Sequence, residues 1–322
     1  MFKDKLDNNK FVLDKGKNYR TPKQLNLVEV NEQIENLGYK VIEIDQIFRN
    51  VHAKIEKNSQ IYFLKLATTR DISERIRNEI NWNLAIASIL ETNSFKSFIV
   101  PKVYDFGEIM GNTFYICDFY KNNFLALKSP ARLFSLKKYI PNIVDTNIFL
   151  LNLPKINFLR DQLEFFHKTS MFREFYNMDL KLISDLSECE LGDLLEFEKN
   201  YFNEFKTCVN HGDFVPWHMI ENGRNFVLID GEHGSSRLPL GYDIAYFYHR
   251  VFTGAESPEI ADTYIYLIYD RIHKKQRDTF RKYFYGCLAN RIISGYWHCK
   301  NEDGKFDFHK LIKERFIKRE IL

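Results

Sequence analysis

A chain of 322 residues is longer than one ordinary core usually spans, and its length alone points to two lobes or domains. Hydrophobic residues at 45%, charged residues at 28%, 29 Phe and 18 Tyr exclude a disordered chain and predict a large aromatic-rich core. A net charge of only +3 gives no bulk attraction to nucleic acid, and no apolar run approaches the roughly 18 residues of a membrane helix, so neither partner is expected.

The N-terminal stretch MFKDKLDNNKFVLDKGKNYR alternates charges with single apolar residues and lacks the apolar core of a signal peptide. Three strands are predicted next, in YKVIEIDQIF, NVHAKIEKN and QIYFLKLAT, where alternating or β-branched runs are separated by polar turns. The loop between the first two, QIFRNVHAK, contains no glycine, so a GxGxxG phosphate cover is absent. In TRDISERIRNEINWNLAIASIL, Ile72, Ile76, Ile80 and Leu84 recur every four residues and predict a helix, with Asp71 and Glu74 as a capping box. FIVPKVYDFGEIMGNTFYICDFY returns to strand character, with Gly111-Asn112 as its hairpin turn. Beyond Tyr120 the patterns are mostly helical: LRDQLEFFHKTS, DLLEFEKNYFNEFK, SPEIADTYIYLIYDRIHK, RDTFRKYFYGCLANRIISGYW and the amphipathic C-terminal FHKLIKERFIKREIL. The exception is NHGDFVPWHMI, residues 210–220, which leads into the apolar strand FVLID and the turn GEHGSS. The cysteines, Cys117, Cys189, Cys208, Cys287 and Cys299, are scattered and without CxxC spacing, as expected of reduced thiols in a cytoplasmic protein.

Taken one at a time, the polar residues of these segments have ordinary explanations. Asp213, after a glycine and near a proline, reads as a turn aspartate bonding its own backbone. Lys65 on a strand and Glu79 on a helix read as solvated surface charges. Their joint order carries more. HGDFVPWH, then LIDGE, then LPLGYDIAYF resembles the aminoglycoside phosphotransferase and choline kinase superfamily, whose members read HGDxxPxN, IDFE or IDWE, and DLA or DIA. YFLKLA is similar to that family's lysine-bearing third strand, RIRNEINWNLAI to the helix whose glutamate pairs with the lysine, and VPKVYDFG with FYICDFY to the strands leading to the hinge.

The resemblance implies an α+β, two-lobed protein-kinase-like fold: a small β-sheet lobe with one main helix over residues 1–119, binding nucleotide, and a larger helical lobe over 120–322, holding the catalytic loop and the acceptor. It implies ATP and Mg²⁺ as cofactors and a small-molecule hydroxyl as acceptor. Phosphoryl transfer needs the triphosphate held, its charge neutralised and the acceptor hydroxyl aimed in line. By the resemblance Asp213 takes the hydroxyl proton, Lys65 reaches the α and β phosphates and Glu79 holds Lys65. Asp230 and position 218, five residues beyond Asp213, bind metal. Adenine would bond the backbone at Asp118 and Tyr120, and Arg49-Asn50 would occupy the place of the glycine-rich cover. Asp243 would brace the catalytic loop from below, and His211 would pack it.

One departure from the family falls at position 218. His218 stands where the family carries asparagine, and an imidazole suits borderline metals better than magnesium. Binding of Mn²⁺, action through a water and direct contact with phosphate are all open to it. Asp243 lies only thirteen positions beyond Asp230, too close for a peptide-docking activation segment between them. The segment SDLSECELGDLLEFE, residues 184–198, has six acids and no Lys or Arg. It reads as a solvated acidic helix face, or as an attractor for a cationic acceptor. An aminoglycoside, an amino alcohol and a sugar-like acceptor therefore all remain open. The competing reading is a nucleotide-binding pseudokinase without turnover, with His218 as its mark.

Overall fold

The computed structural model describes residues 18–19, 21–121, 123–126, 130–162, 178–202, 206–302 and 306–322. The chain forms two compact units, Met1–Asn123 with Val227–His233, and Phe124–Phe226 with Gly234–Leu322.

The first unit opens with α1 (Leu27–Asn36), capped by the Asn26 side chain, which accepts from the Val28 N–H. Antiparallel β1 (Lys40–Ile47), β2 (Asn50–Lys57) and β3 (Gln60–Ala67) follow. Helix α2 (Arg70–Asn93), short β4 (Phe98–Ile99), β5 (Val103–Ile109) and β6 (Asn112–Asp118) complete it, giving a five-stranded sheet of order β1-β2-β3-β6-β5. The sheet buries both faces, and strand parity sorts the side chains between them. Leu64, Leu66, Phe114 and Ile116 pack with Val30 and Ile34 of α1. Ala67, Tyr115 and Cys117 point the other way and pack with Ile72, Ile76 and Ile80 of α2.

Two local expectations are corrected. The cap of α2 is Thr69, whose side chain accepts from the Ile72 N–H, while Asp71 and Glu74 bind Asn18 and Tyr19. The turn of the β5–β6 hairpin is Met110-Gly111, both at positive φ, because Ile109 pairs with Asn112 across a two-residue loop. In α2 the four-residue spacing overshoots the helical period: Leu84 is exposed, and Trp82, Asn83, Ile86 and Leu90 continue the buried face.

The second unit is mostly helical. It comprises α3 (Pro130–Asn152), α4 (Gly192–Phe202), β7 (Thr207–Asn210), β8 (Met219–Asn222), the start of β9 (Asn225–Leu228) and β10 (Ser235–Pro239), followed by four more helices. These are α5 (Tyr242–Thr253), α6 (Pro258–Arg271), α7 (Arg277–Glu302) and α8 (Asp307–Ile317). β7 and β10 pair antiparallel, Asn210 opposite Ser235. Aromatic contacts lock the helices, Phe247 of α5 lying 4.5 Å from Tyr264 of α6 and Tyr248 lying 5.7 Å from Phe284 of α7. Helices α1 and α3 are additions to the sequence reading. α3 contains Pro141, a residue that argues against a helix interior, yet Tyr139, Ile140, Ile143 and Val144 are all buried. Of the expected helix at 159–170, residues 159–162 form one 3₁₀ turn, and the remainder lies outside the described residues.

Candidate active site

In the first unit, strand parity decides where Lys65 goes. It shares its face of β3 with Phe63 and Ala67, the α2 side, and Glu79 stands one turn beyond Ile76 on the buried face of that helix. Lys65 Nζ lies 2.7 Å from Glu79 Oε2 and 2.7 Å from Asp230 Oδ1. Tyr115, paired with Lys65 across β3 and β6, donates its hydroxyl to Glu79 Oε1 at 2.9 Å. Burial alone would discharge Lys65, but Asp230, Glu79 and Glu232 more than offset it, raising the pKa and keeping the ammonium charged.

Asp230 follows β9 at φ 65, a left-handed conformation that aspartate tolerates better than most residues. Gly231 is needed next, since a Cβ there would come 2.2 Å from Trp82 Cδ1 of α2. Asn78 Nδ2 donates to the Glu232 carbonyl at 3.0 Å, so α2 holds this turn from two points. The Glu232 side chain pairs with Arg49 and with His233 Nε2. Although burial acts upward, Arg49 and His233 hold its carboxyl well below the usual range. Arg75 Nη1 contacts His233 Nδ1 at 3.1 Å, and because a guanidinium only donates, the ring proton of neutral His233 sits on Nε2.

The remaining expected residues of this unit take separate positions. Asn50 is buried at the start of β2, with no hydrogen-bond partner for its Oδ1. Asp118 ends β6: its N–H bonds the Lys102 carbonyl, and its carboxylate accepts from Lys102 N–H at 2.9 Å, the Tyr104 hydroxyl at 2.9 Å and the Tyr120 hydroxyl at 3.3 Å. Sequence reasoning passed over His52, which pairs with Lys65 across β2 and β3. Burial, then the Lys65 charge, pushes its pKa down to about 4, so the ring is neutral. It also passed over Glu232 and Tyr115. A pairing register would have found His52 and Tyr115, and the run IDGE already carried Glu232 beside Asp230.

In the second unit, the loop after β7 is fixed from below by Asp243, near the start of α5. Asp243 Oδ2 accepts from the His211 N–H at 2.6 Å and Oδ1 from the Gly212 N–H at 2.9 Å. Burial raises the Asp243 pKa to about 7 against those two bonds, with the Asp213 charge adding to the rise. Phe214 and Val215 are fully buried, and Pro216 opens a 3₁₀ turn closed by His218 N–H to the Val215 carbonyl. Asp213 is thereby held between two anchored segments, its side chain 23% exposed. His218 Nδ1 lies 2.9 Å from the Asp213 carbonyl oxygen and 3.6 Å from Asp213 Oδ2. A carbonyl can only accept, so Nδ1 carries the proton and, in the neutral ring, Nε2 carries the lone pair.

No helix among the described residues is long and apolar enough to cross a membrane. No protein-family profile matches the sequence, and no curated protein matches it. Solved structures do. Aminoglycoside phosphotransferase APH(4)-Ia superposes with a TM-score of 0.59 at 11% identity, over 91% of this chain and 98% of the other. A thermostable mutant of it, solved as a ternary complex with ADP and hygromycin B, gives 0.56 at 13%, over 90% and 97%. The GDP complex of wild-type aminoglycoside 2'-phosphotransferase-IIIa gives 0.57 at 13%, over 91% and 98%. The chain therefore has the protein-kinase-like fold that the aminoglycoside phosphotransferases carry.

Proposed function

We propose that the protein is an ATP-dependent phosphotransferase that moves the γ-phosphate to a hydroxyl group of a small molecule. The observation that carries this reading is the buried Lys65, held charged between Glu79 and Asp230 at 2.7 Å from each. Burying the Lys65–Glu79 ion pair beside the partly exposed Asp230 is costly unless the geometry serves something further, and a fixed cation on a rigid strand suits the α and β phosphates of a nucleotide. The similar proteins solved with ADP, AMP-PNP and GDP support a nucleotide in this chain. Residues 1–119 then act as the nucleotide-binding lobe and 120–322 as the catalytic and acceptor-binding lobe.

Each residue has a definite task in this reading. Glu79 positions Lys65. Asn50, with its buried and unpartnered Oδ1, lines the phosphate cover beside Arg49, and the backbone at Asp118 and Tyr120 takes the adenine. Asp213 accepts a hydrogen bond from the acceptor hydroxyl; as the new O–P bond forms and the bond from the γ-phosphorus to the β,γ-bridging oxygen breaks, releasing ADP, the hydroxyl proton passes to its carboxylate. Asp230 offers the hard carboxylate oxygen that Mg²⁺ prefers, and His218 Nε2 adds a softer nitrogen that Mn²⁺ accepts more readily. The metal, when bound, neutralises charge on the phosphate oxygens. The stretch between Asp230 and Asp243 favours a small acceptor, because a 3₁₀ turn at Gly231–His233 and strand β10 occupy it.

Thermal unfolding with ATP and Mg²⁺ tests the reading, since a ligand at a hundred times its Kd adds about 2.7 kcal/mol. Asp230→Asn, which tolerates the left-handed backbone, should lose the metal-dependent part of that gain. Asp213→Ala should keep nucleotide binding and abolish both slow ATP hydrolysis and transfer. Metal-independent nucleotide binding with no hydrolysis or transfer to any hydroxyl would overturn the enzyme reading in favour of a nucleotide-binding pseudokinase.

A further inference from the structure

Beside the Asp213 loop, the second unit carries a cluster of cations and aromatic rings that the reaction as derived does not use. Tyr242, Tyr246 and Arg250 follow one another at four-residue spacing on α5 and share one face of that helix. Trp217, four residues beyond Asp213, lies under Arg250, the guanidinium carbon 5.7 Å from its ring centre. The same guanidinium is 5.4 Å from the Tyr246 ring. From α7, Arg291 approaches Tyr246 at 4.7 Å and Tyr242 at 5.2 Å. Tyr246 is thus flanked by two guanidinium groups. Burial is the largest influence on all three groups, upward on Tyr242 and Tyr246 and downward on Arg291, and the charge of Asp213 adds a smaller upward push to each.

Neither arginine forms an ion pair with a carboxylate among the described residues. Arg291 donates from Nε and Nη2 to the Asn290 side-chain oxygen, at 3.0 and 2.6 Å. Arg250 Nε is buried without a hydrogen-bond partner. A guanidinium held against aromatic rings keeps in-plane N–H groups for a carboxylate or phosphate: in Arg291 the terminal nitrogens opposite the Nε–Nη2 edge that Asn290 takes, and in Arg250 the buried Nε with its neighbours. Two such cations held on aromatic rings repel an ammonium group and attract an anion. The acidic segment 184–198 offers less counterweight than its sequence implies: Glu198 is buried with Asp179 and Asn290, and Glu188 is paired with Lys300.

We infer that the acceptor is an anionic hydroxyl compound, its carboxylate or phosphate group held by Arg250 and Arg291 against Tyr246 while its hydroxyl meets Asp213. The inference rests on the phosphotransferase reading and sharpens its substrate class. It is tested with a set of small hydroxyl compounds of different charge: glycerate, glycerol 3-phosphate, glycerol, ethanolamine and kanamycin. Transfer from ATP should favour glycerate or glycerol 3-phosphate over glycerol at least tenfold in kcat/KM, with ethanolamine and kanamycin below glycerol. The preferred anion identifies the group recognised. Arg250→Ala should raise the KM for that anion about tenfold or more while sparing kcat and the KM for ATP, and Arg250→Lys should recover part of the loss. A merely structural arginine would lower the melting temperature without changing this discrimination.

Binding of the two anions to the full chain without nucleotide, followed by the fluorescence of Trp217 and by thermal shift, separates the two claims. Arg250-dependent anion binding with no transfer to any compound would sink the phosphotransferase reading and leave the anion site standing. Preferred transfer to ethanolamine or kanamycin, or the absence of any Arg250-dependent response to either anion, would overturn the anion site.

Discussion

Lys65 is enclosed by Glu79, Asp230 and, one strand away, the neutral ring of His52. Removing its charge strands Glu79 in a site only 2% exposed. Lys65→Met, which keeps the length of the side chain, should therefore cost about 3 kcal/mol of stability, as measured by urea unfolding. Adding Glu79→Gln should restore part of it, since the second change removes the stranded charge; nucleotide binding should stay lost in both variants. At this scale the sequence was legible where chemistry and motif coincide. Lys65, Glu79, Asp213 and Asp230 stood out because their order and spacing match a known pattern, although Lys65 and Glu79 alone read as surface residues and Asp213 alone as a turn residue. His52 and Tyr115 gave no signal, because what sets them beside Lys65 is hydrogen-bond register between strands far apart in the chain.

Between elements, the clearest consequence lies where the helical stretch 178–184, α4 and α7 meet. Asp179 and Glu198 are both buried, each within reach of Asn290 Nδ2, at 2.7 and 3.3 Å. Burial lifts Asp179 to about 6 against hydrogen bonds from Glu198 and Asn290, and burial together with Asp179 lifts Glu198 well above its ordinary value. Both groups thus hold protons more tightly folded than unfolded. At pH values below about 4 both states are protonated and the pair's contribution is intact. As pH rises the unfolded chain releases its protons first, so that contribution falls through pH 6 and beyond. The urea midpoint should be lower at pH 8 than at pH 5, and Glu198→Gln should flatten the difference by stabilising the protein at pH 8. Element boundaries were legible wherever apolar period and turn chemistry agreed, as in β1 to β3 and α6 to α8. They failed where a local cue misled: Pro141 hid α3, and Asp71 with Glu74 imitated a cap that Thr69 provides.

At the level of the whole chain, the first unit is discontinuous. Residues 227–233 belong to it and bring Asp230 to Lys65, Gly231 under Trp82 and Glu232 to Arg49 and Asn78. A fragment ending at residue 123 keeps the five-stranded sheet and both helices but loses these partners. It should show strand and helix signals in far-ultraviolet circular dichroism with weakened near-ultraviolet signal from Trp82, and adding a peptide covering 225–235 should restore that signal. The change of character near residue 120 is visible in the sequence, but the return of 227–233 is not, since a short apolar strand followed by a turn reads the same in either unit.

Lys65 and Asp230 lie 165 positions apart. On a ribosome adding roughly 5–20 residues per second, the lysine emerges on the order of ten seconds or more before its carboxylate partner. During that interval the nascent sheet carries a buried cation with one counter-ion missing and a tryptophan without Gly231 against it, and translation must pass the midpoint of the second unit before the first can close.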